Sequence, residues 1–96
     1  MTPLTEPEIQ TALASLPGWA ADGGALSRRV TFPTFLDAIA FVNRVAQVAE
    51  QVGHHPDITV YYTAVTLRLS THDAGGVTNK DVDLAHRLEA LADAGA

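Results

Sequence analysis

Apolar residues recur along the chain at two spacings, every three or four positions and every second position. The switches between the two divide it into seven elements. Ile9, Leu13 and Leu16 stand four and three apart behind Thr5-Glu6-Pro7-Glu8. That tetrad is a capping box, in which the Thr5 hydroxyl accepts from an early backbone N–H and Glu8 reaches back to the cap. A short amphipathic helix is expected, ended by Pro17-Gly18. Trp19-Ala20-Ala21 leads into Asp22-Gly23-Gly24, a tight-turn signal between antiparallel strands. Beyond it Leu26, Val30 and Phe32 take one side of an alternating strand and Ser27, Arg29 and Thr31 the other. Arg28 shares the apolar side, near its rim.

A second box, Thr34-Phe35-Leu36-Asp37, opens the longest element, a helix expected from about residue 35 to 52. Its stripe is Phe35, Ile39, Val42, Val45, Ala49 and Val52. Gly53 suits the left-handed position that closes a helix, and Pro56 prevents its resumption. Ile58 to Tyr62 and Val65 to Ser70 are rich in β-branched and aromatic residues and read as a second strand pair. Thr78-Asn79-Lys80-Asp81 caps a last helix lined by Leu84, Leu88 and Leu91, with Val82, Ala85 and Ala92 beside them. Strands joined by such short turns must be antiparallel, because a parallel pair needs a long crossover. Four strands with one apolar face and three amphipathic helices make an α+β fold, a two-layer sandwich in the order αββαββα. So small a core leaves the other sheet face, or an open sheet edge, available for an oligomer contact.

Composition narrows the function. Ninety-six residues suit a single domain, residues 1–96, and 47% hydrophobic residues are enough to form a core. Six basic against eleven acidic residues give a net charge of -5, which argues against direct nucleic-acid binding. Cysteine is absent, so disulfides, thiolate metal sites and thiol nucleophiles drop out together. No apolar run approaches the roughly 20 residues that span a bilayer, and no signal peptide is recognisable. A cytoplasmic protein with no membrane partner is expected. The charge is uneven, however: residues 49–96 carry seven of the eleven acids and all four histidines.

His54-His55-Pro56 ends the long helix, where cationic histidines complement the helix dipole. Taken alone, the pair needs no other reason. But antiparallel pairing of the last two strands brings the end of the fourth, with Ser70-Thr71-His72-Asp73, beside the start of the third. Three imidazoles then converge at one sheet rim. Histidine moves protons near neutrality, and groups on two sides of a ligand can remove one proton while delivering another. Dehydration needs that pair of transfers and no nucleophile. A metal bound by the histidines with Glu50 or Asp73 ranks lower, because no helical two-histidine spacing and no thiolate are present. Asp81 has a sufficient structural role in its capping box. Tyr62 and Trp19 read as core or hairpin residues, His86 as a surface residue, and Arg28, Arg29 and Arg44 as too scattered for an anion site.

Glu50, three residues, His54-His55-Pro56, five residues, Tyr62, nine residues, His72, eight residues and Asp81 together resemble the signature of the pterin-4a-carbinolamine dehydratases. The resemblance extends to Pro17-Gly18-Trp19, Phe41-Val42-Asn43-Arg44-Val45-Ala46 and Leu69-Ser70-Thr71-His72-Asp73, and covers about residues 4 to 92. It implies four antiparallel strands with three helices on one face, and assembly as a homodimer or homotetramer. It implies dehydration of 4a-hydroxytetrahydropterin to quinonoid dihydropterin, which recycles tetrahydropterin after aromatic amino-acid hydroxylation, with no metal or organic cofactor. His54 and His72 resemble the acid/base histidines, one for each face of the pterin, and His55 the one that orients the ring. Glu50 would hold a polar edge of the pterin. Gly53, Ser70, Thr71, Asp73 and Asp81 complete the implied substrate site. Gly53, Ile58 and Lys80 depart from the aspartate, tryptophan and arginine of the animal proteins. Animal members also bind a homeodomain transcription factor, and some plant and bacterial relatives act as assembly factors. A non-catalytic module with a protein partner is therefore the alternative.

Overall fold

A computed structural model describes residues 2–95; Met1 and Ala96, which the single-domain reading includes, lie outside the described residues. The element order is α1 (Glu6–Leu13), β1 (Trp19–Ala21), β2 (Leu26–Thr31), α2 (Phe35–Val52), β3 (Asp57–Tyr61), β4 (Ala64–Leu69) and α3 (Asn79–Gly95). A single 3-10 turn, His72–Ala74, stands between β4 and α3. This is the expected αββαββα order.

The first capping box forms in full: Glu8 N–H donates to Thr5 Oγ1, and Thr5 N–H donates to Glu8 Oε1 at 2.8 Å. That backbone bond holds the Glu8 carboxyl below its ordinary value. The helix stops earlier than Pro17-Gly18. It tightens after Leu13 into three-residue bonds, Ser15 N–H to Ala12 O and Leu16 N–H to Leu13 O, which turn Leu16 into the core. Asp22 and Ala25 exchange both backbone bonds around Gly23 and Gly24, whose φ values of 54° and 82° meet the left-handed demand of a two-residue hairpin.

The four strands form one antiparallel sheet in the order β1-β2-β4-β3. Paired residues share a face, so Leu26 with Leu69, Arg28 with Leu67 and Val30 with Val65 look toward the helices. Ser27, Arg29, Thr66, Arg68, Asp57 and Thr59 make the opposite, polar face. The three helices cover the apolar face. The core joins Leu16, Trp19, Phe32, Phe41, Val45, Leu67, Leu84 and Leu88.

Along α2 the buried line is Ala38, Phe41, Val45 and Ala49. Of the expected stripe, Val45 and Ala49 hold; Ile39 and Val42 are flanking and half-buried, while Phe35 and Val52 are 52% and 40% exposed. This helix is apolar around much of its circumference, and α3 on one side and β4 below select which row is buried. In α3 the expected Leu84 and Leu88 are buried with Ala85 and Ala92, and Leu91 flanks them.

Candidate active site

Helix α2 ends where Gly53 takes a left-handed conformation, φ 68° and ψ 28°, its N–H bonded to Ala49 O and Glu50 O. His54 N–H then returns to Ala49 O at 3.2 Å. The chain is thereby folded back over its own last turn, which brings His54 beside the start of α3. From the other direction, β4 runs out at Leu69 and the chain closes a small loop in which Thr71 N–H bonds Gly76 O at 2.9 Å. His72 does not prolong β4 but opens the 3-10 turn within that loop, exposed to solvent.

Between these two segments lies a surface pocket of about 350 Å³, lined by Gly53, His54, His55, Ser70, Thr71, His72, Asp73 and Lys80. Its size is within the range of small-molecule sites. The antiparallel pairing of Asp57 with Arg68 brings the two ends of the sheet rim together, as the strand order requires. Thus His54, His55 and His72 border one cavity, with Gly53, Ser70, Thr71 and Asp73.

The three imidazoles have different surroundings. His54 is largely buried, its side chain 16% exposed, and its Nε2 lies 2.6 Å from Oδ1 of the fully buried Asp81. Asp81 Oδ2 accepts from Thr78 N–H at 2.9 Å, the capping bond, and from the Thr71 hydroxyl at 2.8 Å. Asp81 therefore caps α3 and supports His54 at once. It stands behind the pocket wall, not on it. His55 is mostly exposed and donates from Nε2 to Glu50 Oε1 at 2.7 Å. So open a pair is worth well under 1 kcal/mol. Glu50 does not line the histidine pocket; it borders a larger, apolar groove of about 650 Å³ between α2 and β3, with Ala46, Pro56 and Ile58. His55 borders both cavities. The ionisable groups gather at the smaller one.

Tyr62 lies at the opposite end of β3, in the hairpin turn, highly exposed and edge-on to Tyr61. Trp19 is a core residue and His86 a surface one. Arg28 pairs with Glu89 at 2.9 Å. Two contributors were not assigned to the site from sequence. Thr78 was visible only as a cap, and Lys80, next to Asp81, borders the pocket. Among the described residues, no group of three or more histidine, aspartate or glutamate side chains is gathered as a metal ligand set, and no helix is long and apolar enough to cross a membrane.

A family profile for pterin 4 alpha carbinolamine dehydratase matches residues 2–91. The chain belongs to this family. It is 54% identical over 88 residues to a protein of Koribacter versatilis provisionally named pterin-4-alpha-carbinolamine dehydratase, covering 92% of this chain and 94% of the relative. A protein of Mycobacteroides abscessus with the same provisional name is 51% identical, covering 93% and 95%. Among solved structures, a transcriptional coactivator/pterin dehydratase from Brucella melitensis superposes with a TM-score of 0.89 at 38% identity, covering 95% of this chain and 99% of that one. A pterin dehydratase-like protein identified as a RuBisCO assembly factor in the alpha-carboxysome superposes with a TM-score of 0.68 at 27% identity, over 78% and 89%. The family thus includes proteins described by partners as well as by a reaction.

Proposed function

We propose that this protein dehydrates a 4a-hydroxytetrahydropterin to quinonoid dihydropterin and water, and so returns the pterin to its redox cycle. The observation that carries this reading is the gathering of three histidines around one small pocket, one of them backed by a buried carboxylate. In the reaction the C4a–O bond breaks and a C4a=N5 bond forms. One proton goes to the departing oxygen from an acid, and the N5 proton goes to a base, so atoms balance without an external reagent. His54 and His72 serve as that acid/base pair, on opposite faces of the ring. His72, in solvent, exchanges its proton with water between turnovers. His55 orients the ring, and Ser70, Thr71 and Asp73 with Gly53 border the bound pterin. Asp81 works through His54, and Glu50 through His55. No resident cofactor enters the scheme.

We further propose a cytoplasmic, single-domain protein that assembles as a homodimer or homotetramer. What supports assembly is the open edge of β3 with exposed Val60, Tyr61 and Tyr62. A second reading, a module that binds a protein partner, is favoured by the likeness to the carboxysomal assembly factor. The two readings separate on the histidines. Replacing His54 and His72 together by alanine is expected to reduce dehydration to the spontaneous rate while the circular dichroism spectrum is unchanged, each single change costing about 10²-fold or more. Undiminished turnover in the double variant would contradict the assignment.

A further inference from the structure

The buried polar or charged side chains of the described residues are Thr71, Thr78 and Asp81. All three belong to one hydrogen-bonded chain that ends on His54. Helix capping does not require this. The other two helix caps, the Thr5–Glu8 box and the Thr34 hydroxyl that accepts from Asp37 N–H, serve their helices from the exposed surface. Only the third is buried, and only the third receives a further hydroxyl from the segment after β4.

The direction of each bond can be assigned by counting hydrogens. A carboxylate has none to give, so Thr71 donates its single hydroxyl hydrogen to Asp81 Oδ2. With that hydrogen committed, the 2.8 Å contact between the threonine oxygens runs from Thr78 to Thr71. Thr78 Oγ1 in turn accepts the Lys80 N–H at 3.3 Å. Every link points from the first turn of α3 toward the carboxylate. On its other oxygen Asp81 again only accepts, so the hydrogen of the neutral His54 ring sits on Nε2 and the lone pair on Nδ1. Nδ1 has no hydrogen-bond partner among the described residues, and the ring borders the pocket.

We infer that Thr71 is a positioning residue: through Asp81 it holds His54 as the Nε2–H tautomer and presents Nδ1 to the bound molecule as the proton acceptor. The Thr78 hydroxyl fixes the hydrogen of Thr71 in that orientation. The effect on turnover rests on the dehydratase reading above; the tautomer does not.

Long-range 1H–15N correlation spectra of the histidine-labelled protein read the tautomer without substrate. In the wild type, above the titration of the ring, His54 is expected to be the Nε2–H form. Thr71→Val is expected to mix the two tautomers, and Thr71→Ser, which keeps the hydroxyl, to restore one. In parallel, Thr71→Val should lower kcat about 10- to 100-fold with KM within about twofold, the usual worth of one hydrogen bond to a charged group. Thr71→Ser should recover kcat. A wild-type ring protonated on Nδ1, or a folded Thr71→Val protein with the tautomer and kcat of the wild type, would overturn the proposal. If Thr71→Val does not fold, Thr71→Ala and Thr71→Ser decide it: mixed tautomers in Thr71→Ala with a single Nε2–H form in Thr71→Ser uphold it, and the wild-type tautomer in both refutes it. A wild type with the Nε2–H form but no dehydration would instead contradict the function and leave the positioning role standing.

Discussion

Asp81 combines two duties that are usually separate. As the fourth residue of a capping box it satisfies the Thr78 N–H, and as a buried acceptor it holds His54 and Thr71. An unpaired buried carboxylate is costly, and three donors on two oxygens offset that cost. Removing it strands all three. Asp81→Ala is therefore expected to destabilise the fold by about 2–4 kcal/mol in urea denaturation, through lost capping and unsatisfied buried donors. Asp37→Ala, at an exposed helix start, should cost less than about 1 kcal/mol in the same measurement. Equal effects would contradict the double role. In the sequence, the Thr78–Asp81 spacing announces a cap and nothing more. The contacts to Thr71 and His54 span 10 and 27 residues, and no local pattern encodes them.

The elements were legible where one row of residues was clearly apolar. The limits of α2 and the hairpin turn at Gly23-Gly24 follow from caps and turn residues that act over four positions. The face of α2 does not, because Phe35, Ile39, Ala38 and Phe41 offer two rows of equal quality and only α3 and β4 choose between them. The lock between α3 and the first hairpin was equally hidden. Glu89 on α3 accepts from Trp19 Nε1 at 2.7 Å and Arg28 Nε at 2.9 Å, and Arg28 also donates to Arg29 O. Gly18, at φ +91°, leaves room for this guanidinium; a Cβ there would lie 2.8 Å from Arg28 Cζ. Burial acts to raise the Glu89 carboxyl, but the Arg28 and Trp19 hydrogen bonds and the Arg28 charge outweigh it and hold the group below its ordinary value. A carboxyl depressed in the folded state stabilises fully above the unfolded value of about 4.3 and loses that contribution as pH falls through the lower folded value. Glu89→Gln is thus expected to cost about 1–2 kcal/mol at neutral pH and progressively less below about pH 4, read as converging melting temperatures. A constant gap down to pH 2 would refute the lock.

Across the whole molecule, the uneven charge has a physical cause. Three of the seven acids in the second half, Glu50, Asp81 and Glu89, are engaged with His55, His54 and Arg28. Of these pairs Arg28–Glu89 joins the two halves of the chain, whereas the two histidine pairs and the residues lining the pocket all lie within the second. The side of α2 and β3 away from α3 carries the 650 Å³ groove, and Phe35, Leu36, Val60, Tyr61 and Tyr62 are exposed. Light scattering after gel filtration is expected to give two or four times the chain mass, and a strict monomer at micromolar concentration would exclude assembly through β3. The central claim remains chemical. Stopped-flow absorbance of synthetic 4a-hydroxytetrahydropterin, mixed with the wild-type protein, tests it most directly. The expected result is a saturable acceleration of quinonoid dihydropterin formation well above the buffer rate; decay identical to buffer at every protein concentration would contradict it.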